Sequence, residues 1–263
     1  YGVGGASPSP PPGFPITATD WTSDNWGQIL LACPTGGGVY QWDPTGGFQN
    51  AGLVGTAPPY NTGIFISQQQ QILVCYGSTT VEDIGVIEDP LLVAWSTVGD
   101  YTQFTPLVTN QAGSQRLPIG SKCVSGMAVA NLNVIWTDLD VWGMTYIGPP
   151  FVFGFNILGA GAGAISLHSP QKLRGNVYWM GQSNFYSLTG NGVNVLPCPV
   201  WDFVFQNINP LFVQNVRSMP NTPFNEVGWL FPSTASTSGE CDSYVKFNIT
   251  EPNSPWDFGQ LPR

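Results

Sequence analysis

One stretch of the sequence shows the repeating unit of the fold most clearly: Asn176-Val177-Tyr178-Trp179-Met180-Gly181-Gln182-Ser183-Asn184-Phe185-Tyr186-Ser187-Leu188. It begins and ends with runs of aromatic and aliphatic residues, which favour β-strands. The three residues Gly181-Gln182-Ser183 between the runs are short enough to join antiparallel neighbours. The stretch therefore predicts a β-hairpin with Trp179 in its first strand.

Similar pairs of strand-like runs recur along the chain. The five pairs are Ile29–Cys33 with Val39–Trp42, Ile72–Tyr76 with Leu91–Trp95, Asn133–Trp136 with Val141–Tyr146, Asn176–Met180 with Asn184–Leu188, and Glu226–Phe231 with Ser243–Ile249. One tryptophan marks each pair, at intervals of 53, 41, 43 and 50 residues: Trp42, Trp95, Trp136, Trp179 and Trp229. We expect these five tryptophans to have a structural role, packing between the repeating units.

A repeat of about 40–50 residues with four strands per unit is typical of a β-propeller. The predicted fold is therefore all-β, a β-propeller of about five or more four-stranded blades over residues 21–263. A β-sandwich and an irregular β-solenoid are the alternatives. Residues 1–20 contain five prolines among Gly, Ser and Ala and are expected to form an extended arm. The best helix signal is Val200–Ile208, which Asn209-Pro210 is expected to end.

Charged residues are scarce in this chain of 263 residues. They make up 9% of it, where soluble domains average about 25%. Seven basic and sixteen acidic residues give a net charge of −9, which disfavours tight binding to nucleic acid but would let DNA slide past without sticking. The uncharged stretch Val141–Gln171 approaches the length of a short membrane span, but its prolines and glycines favour a strand and a loop. We expect no stable membrane insertion.

Candidate catalytic residues are few. His168 is the one histidine, so Ser-His-Asp or Cys-His catalysis would depend on it, and a site with several histidine ligands is excluded. Asp138 and Asp140 are the nearest carboxylate pair for glycoside hydrolysis, but we expect them in a hairpin turn, bonded to their own backbone. The five cysteines show no paired spacing and are expected to be buried free thiols: Cys33, Cys75, Cys123, Cys198 and Cys241. We therefore predict no enzymatic activity, no cofactor and no metal.

Three further segments have mainly structural interpretations. Four acidic residues between two strands indicate a solvated loop or a contact to a basic partner: Glu82, Asp83, Glu88 and Asp89. The segment Ser96–Phe104 is similar to the Asp-box turn of sialidase-type propellers, although the Asp expected two residues after the Ser is missing. Asn248-Ile249-Thr250 matches the glycosylation sequon, which has meaning only for a secreted chain.

Several motifs in the C-terminal half are more specific. In order, they are Gly148-Pro149-Pro150-Phe151-Val152-Phe153-Gly154, Val177-Tyr178-Trp179-Met180-Gly181, Asn184-Phe185-Tyr186-Ser187-Leu188, Val195-Leu196-Pro197-Cys198-Pro199-Val200, Phe224-Asn225-Glu226-Val227 and Pro255-Trp256-Asp257-Phe258-Gly259. This pattern resembles the tail structural proteins of tailed bacteriophages, of the propeller-containing nozzle or packaged-DNA-stabilisation type. The resemblance is clear from Val141 to Arg263 and weaker from Trp21 to Asp140.

The resemblance implies a virion protein of the phage tail. Such a subunit would assemble with copies of itself into a ring, expected to be a homohexamer, that lines or closes the DNA ejection channel. Its other partners would be the portal or adaptor and the tail fibres or spikes, and DNA would pass without sequence-specific binding. The alternative from the composition is a secreted or surface glycan-binding β-propeller, and an Asp/Glu glycosidase is less favoured.

Overall fold

The computed structural model describes residues 20–47, 51–82, 85–253 and 255–261. Its strands form five four-stranded antiparallel sheets and one two-stranded hairpin. Each four-stranded sheet is one blade of a five-bladed β-propeller, so the predicted fold is confirmed. The expected extended arm, residues 1–20, lies outside the described residues except for Asp20.

The sheets follow one another along the chain. Sheet 1 contains β1 (Trp21–Trp26), β2 (Ile29–Pro34), β3 (Tyr40–Trp42) and β4 (Gly52–Leu53). Sheet 2 contains β5 (Gly63–Ser67), β6 (Ile72–Tyr76), β9 (Leu92–Trp95) and β10 (Gly113–Arg116), with the hairpin β7 (Thr79–Glu82) and β8 (Gly85–Glu88) inserted after β6. Sheet 3 contains β11 (Cys123–Val129), β12 (Leu132–Thr137), β13 (Val141–Gly148) and β14 (Val152–Gly159).

The last two sheets complete the series. Sheet 4 contains β15 (Gln171–Leu173), β16 (Asn176–Met180), β17 (Phe185–Thr189) and β18 (Gly192–Leu196). Sheet 5 contains β19 (Arg217–Asn221), β20 (Glu226–Phe231), β21 (Ser243–Asn248) and β22 (Trp256–Gln260). The five predicted strand pairs are thus the second and third strands of the five sheets, within one or two residues at each end.

The chain divides into two compact units, which we call unit 1 and unit 2. Unit 1 consists of Tyr1–Pro118, Gly126–Ala128 and Ile147–Val152, and unit 2 of Ile119–Ser125, Val129–Tyr146 and Phe153–Arg263. In unit 1 the core lies between sheets 1 and 2 and includes Leu31, Cys33, Ile64, Leu73 and Cys75. In unit 2 a larger core gathers around sheets 4 and 5 and includes Tyr178, Phe185, Trp229, Phe231 and Val245.

Side chains of β1 join sheet 1 to sheet 2 within unit 1. The amide of Ile64 donates to the Thr22 hydroxyl at 2.9 Å, and the amide of Ile66 donates to the Asp24 carboxylate at 2.8 Å. Polar side chains at alternate positions of β1 therefore satisfy edge amides of β5 that no strand pairs with. The polar sequence of β1 follows from this role.

The predicted helix is present but shorter than expected. The helix α1 spans Trp201–Phe205, and its Val204 is fully buried, while Val200, Phe203 and Ile208 pack against the same core. The helix ends at Phe205, before the segment Asn209-Pro210 that was expected to end it. Because the Asn209 side chain accepts a hydrogen bond from the Leu211 amide, it caps a 3₁₀ helix that begins at Pro210 and ends at Asn215.

Two shorter 3₁₀ helices span Pro44–Gly46 and Thr222–Phe224. Among the described residues, no helix is both long and apolar enough to cross a bilayer. The uncharged stretch Val141–Gln171 instead forms strands β13 and β14 and the start of β15, joined by loops.

Candidate interaction surfaces

The five repeat tryptophans do not occupy one position in the sheets. Trp136, Trp179 and Trp229 lie in second strands and are fully buried, whereas Trp42 and Trp95 lie in third strands. In sheets 1 and 2 the second strands instead carry the fully buried Cys33 and Cys75. The tryptophans recur at intervals of 41 to 53 residues in the sequence, but they occupy two different strand positions in the sheets.

The buried indoles connect neighbouring sheets inside unit 2. Trp136 and Trp179 meet edge to face with ring centroids 5.5 Å apart. The Trp179 indole donates to the carbonyl of Ala162 at 2.8 Å, and the Trp229 indole donates to the carbonyl of Ser169 at 3.0 Å. These indoles hold the segments that link one sheet to the next.

Asp138 and Asp140, the carboxylate pair considered for glycoside hydrolysis, accept hydrogen bonds from neighbouring loops. Asp138 accepts hydrogen bonds from the Ser121 hydroxyl at 2.6 Å and the Ser121 amide at 2.8 Å. Asp140 is buried and accepts from the Gly161 amide at 2.8 Å. The turn is present, but these side chains bind other connections rather than mainly their own backbone.

The pKa of Asp138 also argues against an acid role. Burial alone would raise this pKa, but hydrogen bonds from the Ser121 hydroxyl and from the amides of Ser121 and Lys122 lower it below the ordinary value. A glycosidase acid needs the opposite shift, because it must keep its proton near neutral pH. Asp138 therefore has neither an oxygen without a hydrogen bond nor the raised pKa that the acid of a glycosidase requires.

His168 and the cysteines form no reaction centre in the described part of the chain. His168 is half-buried, and its carbonyl accepts from the Ser218 amide at 2.8 Å. None of the five cysteines forms a disulfide, and burial raises the pKa of Cys33 to about 12, although a hydrogen bond from Asn61 acts in the opposite direction. Cys198 and Cys241 are only half-buried, which corrects the expectation that all five are buried. Among the described residues, no three His, Cys, Asp or Glu side chains are grouped to hold a metal ion.

A short turn recurs between third and fourth strands of three sheets. In each, an Asp or Asn oxygen accepts from the amide and the hydroxyl of a threonine two residues later. The three turns are Asp43-Pro44-Thr45, Asp100-Tyr101-Thr102 and Asn248-Ile249-Thr250. The Asp-box-like segment and the sequon both fall on this turn, so both have a structural explanation.

The two aspartate turns of unit 1 form what we call the acidic end: Asp43, Asp100 and Tyr101. Both carboxylates are exposed. The Tyr101 hydroxyl donates to Gln41 at 2.6 Å, and its ring meets Trp26 edge-on at 5.2 Å. Burial raises the pKa of Tyr101, and the negative charges of Asp100 and Asp43 raise it further. Both carboxylates are therefore near one phenol.

The opposite charge gathers in unit 2, in what we call the basic strip: Lys172, Arg174 and Arg217, all exposed. Strands β15 and β19, which carry Lys172 and Arg217, are adjacent, and Gln171 and Ser218 beside them are in side-chain contact at 3.4 Å. Arg174 lies at the turn after β15 and donates to the Asn225 side chain at 2.5 Å. The basic strip therefore extends to the turn between β19 and β20, where Asn225 lies.

The two units differ in their content of charged residues. Unit 1 contains eight acidic residues and one basic residue, and unit 2 contains eight acidic and six basic residues. In unit 1 the basic residue, Arg116, pairs with Asp89 at 2.8 Å. In unit 2, Lys246 pairs with Glu226 at 3.1 Å and with Asp257 at 3.3 Å. Of the predicted acidic loop, Asp89 is therefore paired inside the chain, Glu88 is exposed at the end of β8, and Asp83 lies outside the described residues.

Large apolar side chains are also exposed on both units. Phe151, Phe224 and Leu211 expose 75%, 67% and 83% of their surface. Phe224 lies beside Asn225, the partner of Arg174, and Met219 follows Arg217 on β19, so apolar groups flank the basic strip. Aromatic residues, methionine and arginine are the types enriched in protein interfaces.

Comparison with known proteins supports the fold alone. No protein-family model and no curated protein matches the chain. Dihydro-heme d1 dehydrogenase NirN is similar in structure at a TM-score of 0.50 and 10% identity, over 90% of this chain and 44% of that one. This chain therefore spans less than half the length of that protein.

Two further structures are similar at lower scores. An exported protein of Bacteroides fragilis has a TM-score of 0.46 at 10% identity, over 91% of this chain and 70% of that one. The CNH domain of AfRom2 has a TM-score of 0.45 at 12% identity, over 87% of this chain and 67% of that one. At identities of 10–12%, these similarities do not indicate that the proteins share a function with this chain.

Proposed function

We propose that this protein is a structural component of a bacteriophage tail, a nozzle or tail-tube subunit that assembles into a ring around the path of the ejected DNA. The proposal combines the motif resemblance between Val141 and Arg263 with the propeller fold. Its partners would be copies of itself, expected as a homohexamer, the portal or adaptor, and the fibres or spikes.

The observation that carries the proposal is the surface. Large apolar side chains such as Phe151, Leu211 and Phe224 are exposed on a chain that has only 9% charged residues. Permanent interfaces are rich in apolar and aromatic residues and poor in charge. Such a surface is suited to a subunit that neighbouring subunits cover.

The mechanism would be mechanical and electrostatic. Contacts between subunits would hold the tube, and the net charge of −9 would repel the phosphate backbone, so that DNA passes with little retention. The role requires no catalytic group.

Native mass spectrometry and electron microscopy of the purified chain test this proposal. We expect a closed ring, and we expect the protein among the components of purified virions. A chain that stays monomeric at high concentration and is absent from virions would contradict the proposal. Micromolar binding to duplex DNA at physiological salt would contradict passage without retention.

A glycan-binding propeller is the second candidate, because one aromatic pair is suitably exposed. Trp21 is half-exposed, and its ring lies 6.5 Å from that of Tyr40 at an interplanar angle of 52°. Such a ring can stack on the apolar face of a sugar. A glycan array tests this candidate: hits that Trp21→Ala abolishes would support it, and an array without hits would remove it.

A further inference from the structure

We infer that the acidic end of one copy docks against the basic strip of a second copy, so that the contact between neighbouring subunits joins two different surfaces. This inference rests on the proposed ring and names the residues that would hold it. The partner is a second copy of this chain, and charge complementarity between unit 1 and unit 2 is the argument for it.

The two carboxylates of the acidic end are exposed and already held in fixed positions. The carboxylates of Asp43 and Asp100 are exposed, and each is held in a turn by the amide and the hydroxyl of a threonine two residues later, at 2.6–2.8 Å. Each threonine contacts one carboxylate oxygen, which leaves the second available to a partner. Because the side chains are already fixed, a cation that docks there loses little affinity to side-chain ordering.

The basic strip has the composition of a docking surface. Arg217 and Met219 are exposed on β19, and Arg174 is held by Asn225 next to the exposed Phe224. An arginine binds a carboxylate through two parallel N–H groups, which gives the contact a defined geometry. The neighbouring Phe224 and Met219 provide apolar area around the charges, as in the centre of protein interfaces.

A second copy fits both surfaces better than another kind of partner does. Unit 1, with eight acidic residues and one basic residue, needs a basic partner, and unit 2 carries six of the seven basic residues. Nucleic acid could bind the basic strip, but it offers no positive charge to the acidic end, whereas a second copy has a group of opposite charge for both surfaces. Contacts between two different surfaces propagate from copy to copy and close into a ring when the rotation allows it.

Charge reversal on either side tests the inference. We expect Arg174→Glu/Arg217→Glu and Asp43→Lys/Asp100→Lys each to weaken self-association by about tenfold or more, the factor expected from losing two exposed ion pairs. Mixing the two variants should restore assembly, because opposite charges then meet again, with the two variants alternating around the ring. Native mass spectrometry at physiological salt measures the species, and 1 M salt should weaken the wild-type assembly as well.

Two sets of variants separate this effect from misfolding. Asp43→Asn/Asp100→Asn removes the charges but keeps an oxygen for each threonine, so the turns remain and association should still weaken. Lys122→Glu and Asp202→Lys reverse exposed charges outside both surfaces, and they should leave assembly unchanged. Thermal melting of each variant checks that it is folded.

The outcomes separate this inference from the proposed function. Rings that form equally well with either reversed variant, or a mixture that does not recover, would overturn the docking scheme and leave the tail function standing. A wild-type chain that is monomeric at all concentrations would overturn the docking scheme, and its absence from virions as well would overturn the tail function. If neither variant assembles by itself and the mixture of the two forms rings, the contact between the acidic end and the basic strip is established.

Discussion

Gly163 lies at a point in unit 2 where no side chain fits. A Cβ added there would be 2.6 Å from the carbonyl carbon and oxygen of Asp138 and from the carbonyl oxygen of Thr137. All three are backbone atoms, so no rotamer change can relieve the contact. The Gly163 amide also donates to the Leu139 carbonyl at 2.8 Å, which holds the two segments together. The substitution Gly163→Ala must therefore move the connection between sheets 3 and 4 away from the Asp138 turn.

We expect Gly163→Ala to lower the free energy of unfolding by about 3 kcal/mol, the upper end of the usual cost of overpacking, because the obstacle is backbone. For a chain of this size, that is a fall in Tm of about 6–12 °C. Thermal melting followed by tryptophan fluorescence measures it. Gly190→Ala is the matched control: nothing lies within 4 Å of its added Cβ, so its Tm should stay close to the wild type. If both variants melt together with the wild type, the close approach at Gly163 does not exist.

Other substitutions and conditions test the hydrogen bonds and thiols. Asp138→Ala should lower the free energy of unfolding by about 2 kcal/mol in urea titrations, because two donors of Ser121 lose a charged acceptor; Asp138→Asn, which keeps an acceptor, should cost less. Because the pKa values of Asp138 and Asp242 are lowered in the folded state, their stabilisation is complete above the ordinary Asp pKa and is lost as the pH falls below about 4; a stability profile that is flat down to pH 2 would contradict this. Cys33, with its pKa raised to about 12, should resist alkylation of the native protein at pH 8 while Cys241 reacts, and mass spectrometry of the labelled peptides would show the reverse order if this is wrong.

The second and third strands could be predicted from sequence because they are buried. Strand β6 is buried at every position, and its apolar run Ile72–Tyr76 stands out from the turn residues around it. The first and fourth strands are edge strands, and several of them carry weaker patterns, although β5 is buried at every position. Strand β1 alternates between exposed and half-exposed residues, and β4 has only two residues, so neither has a hydrophobic run to recognise.

The tryptophan spacing predicted the repeat but not the register. Trp42 and Trp95 lie in third strands, whereas Trp136 lies in a second strand, and the second strands of sheets 1 and 2 contain no tryptophan. One residue type at roughly regular intervals therefore does not mark one position in the sheets. The Asp-x-Thr pattern at Asp43 and Asp100 is a further sequence feature, which could have predicted the turns after the third strands of sheets 1 and 2.

The two interaction surfaces could not be predicted from sequence, because each gathers residues that lie far apart in the chain. Asp43 and Asp100 are 57 residues apart, and Arg174 and Asn225 are 51 apart. The sequence shows that the basic residues are few and that all of them lie at or after Arg116, but only the fold places Lys172 and Arg217 on adjacent strands.

Each of the five sheets uses one continuous segment of the chain, with the hairpin of β7 and β8 inserted in the segment of sheet 2, and none of the described sheets combines strands from the two ends. A nascent chain can therefore complete each sheet as soon as its fourth strand leaves the ribosome, without waiting for a distant strand to arrive. A cut in a link between two sheets leaves each sheet whole, and an exposed link is a better place to cut than the buried, hydrogen-bonded link between β14 and β15. Circular permutants opened at exposed links would keep every sheet whole, which would allow the folding order of the sheets to be rearranged by design.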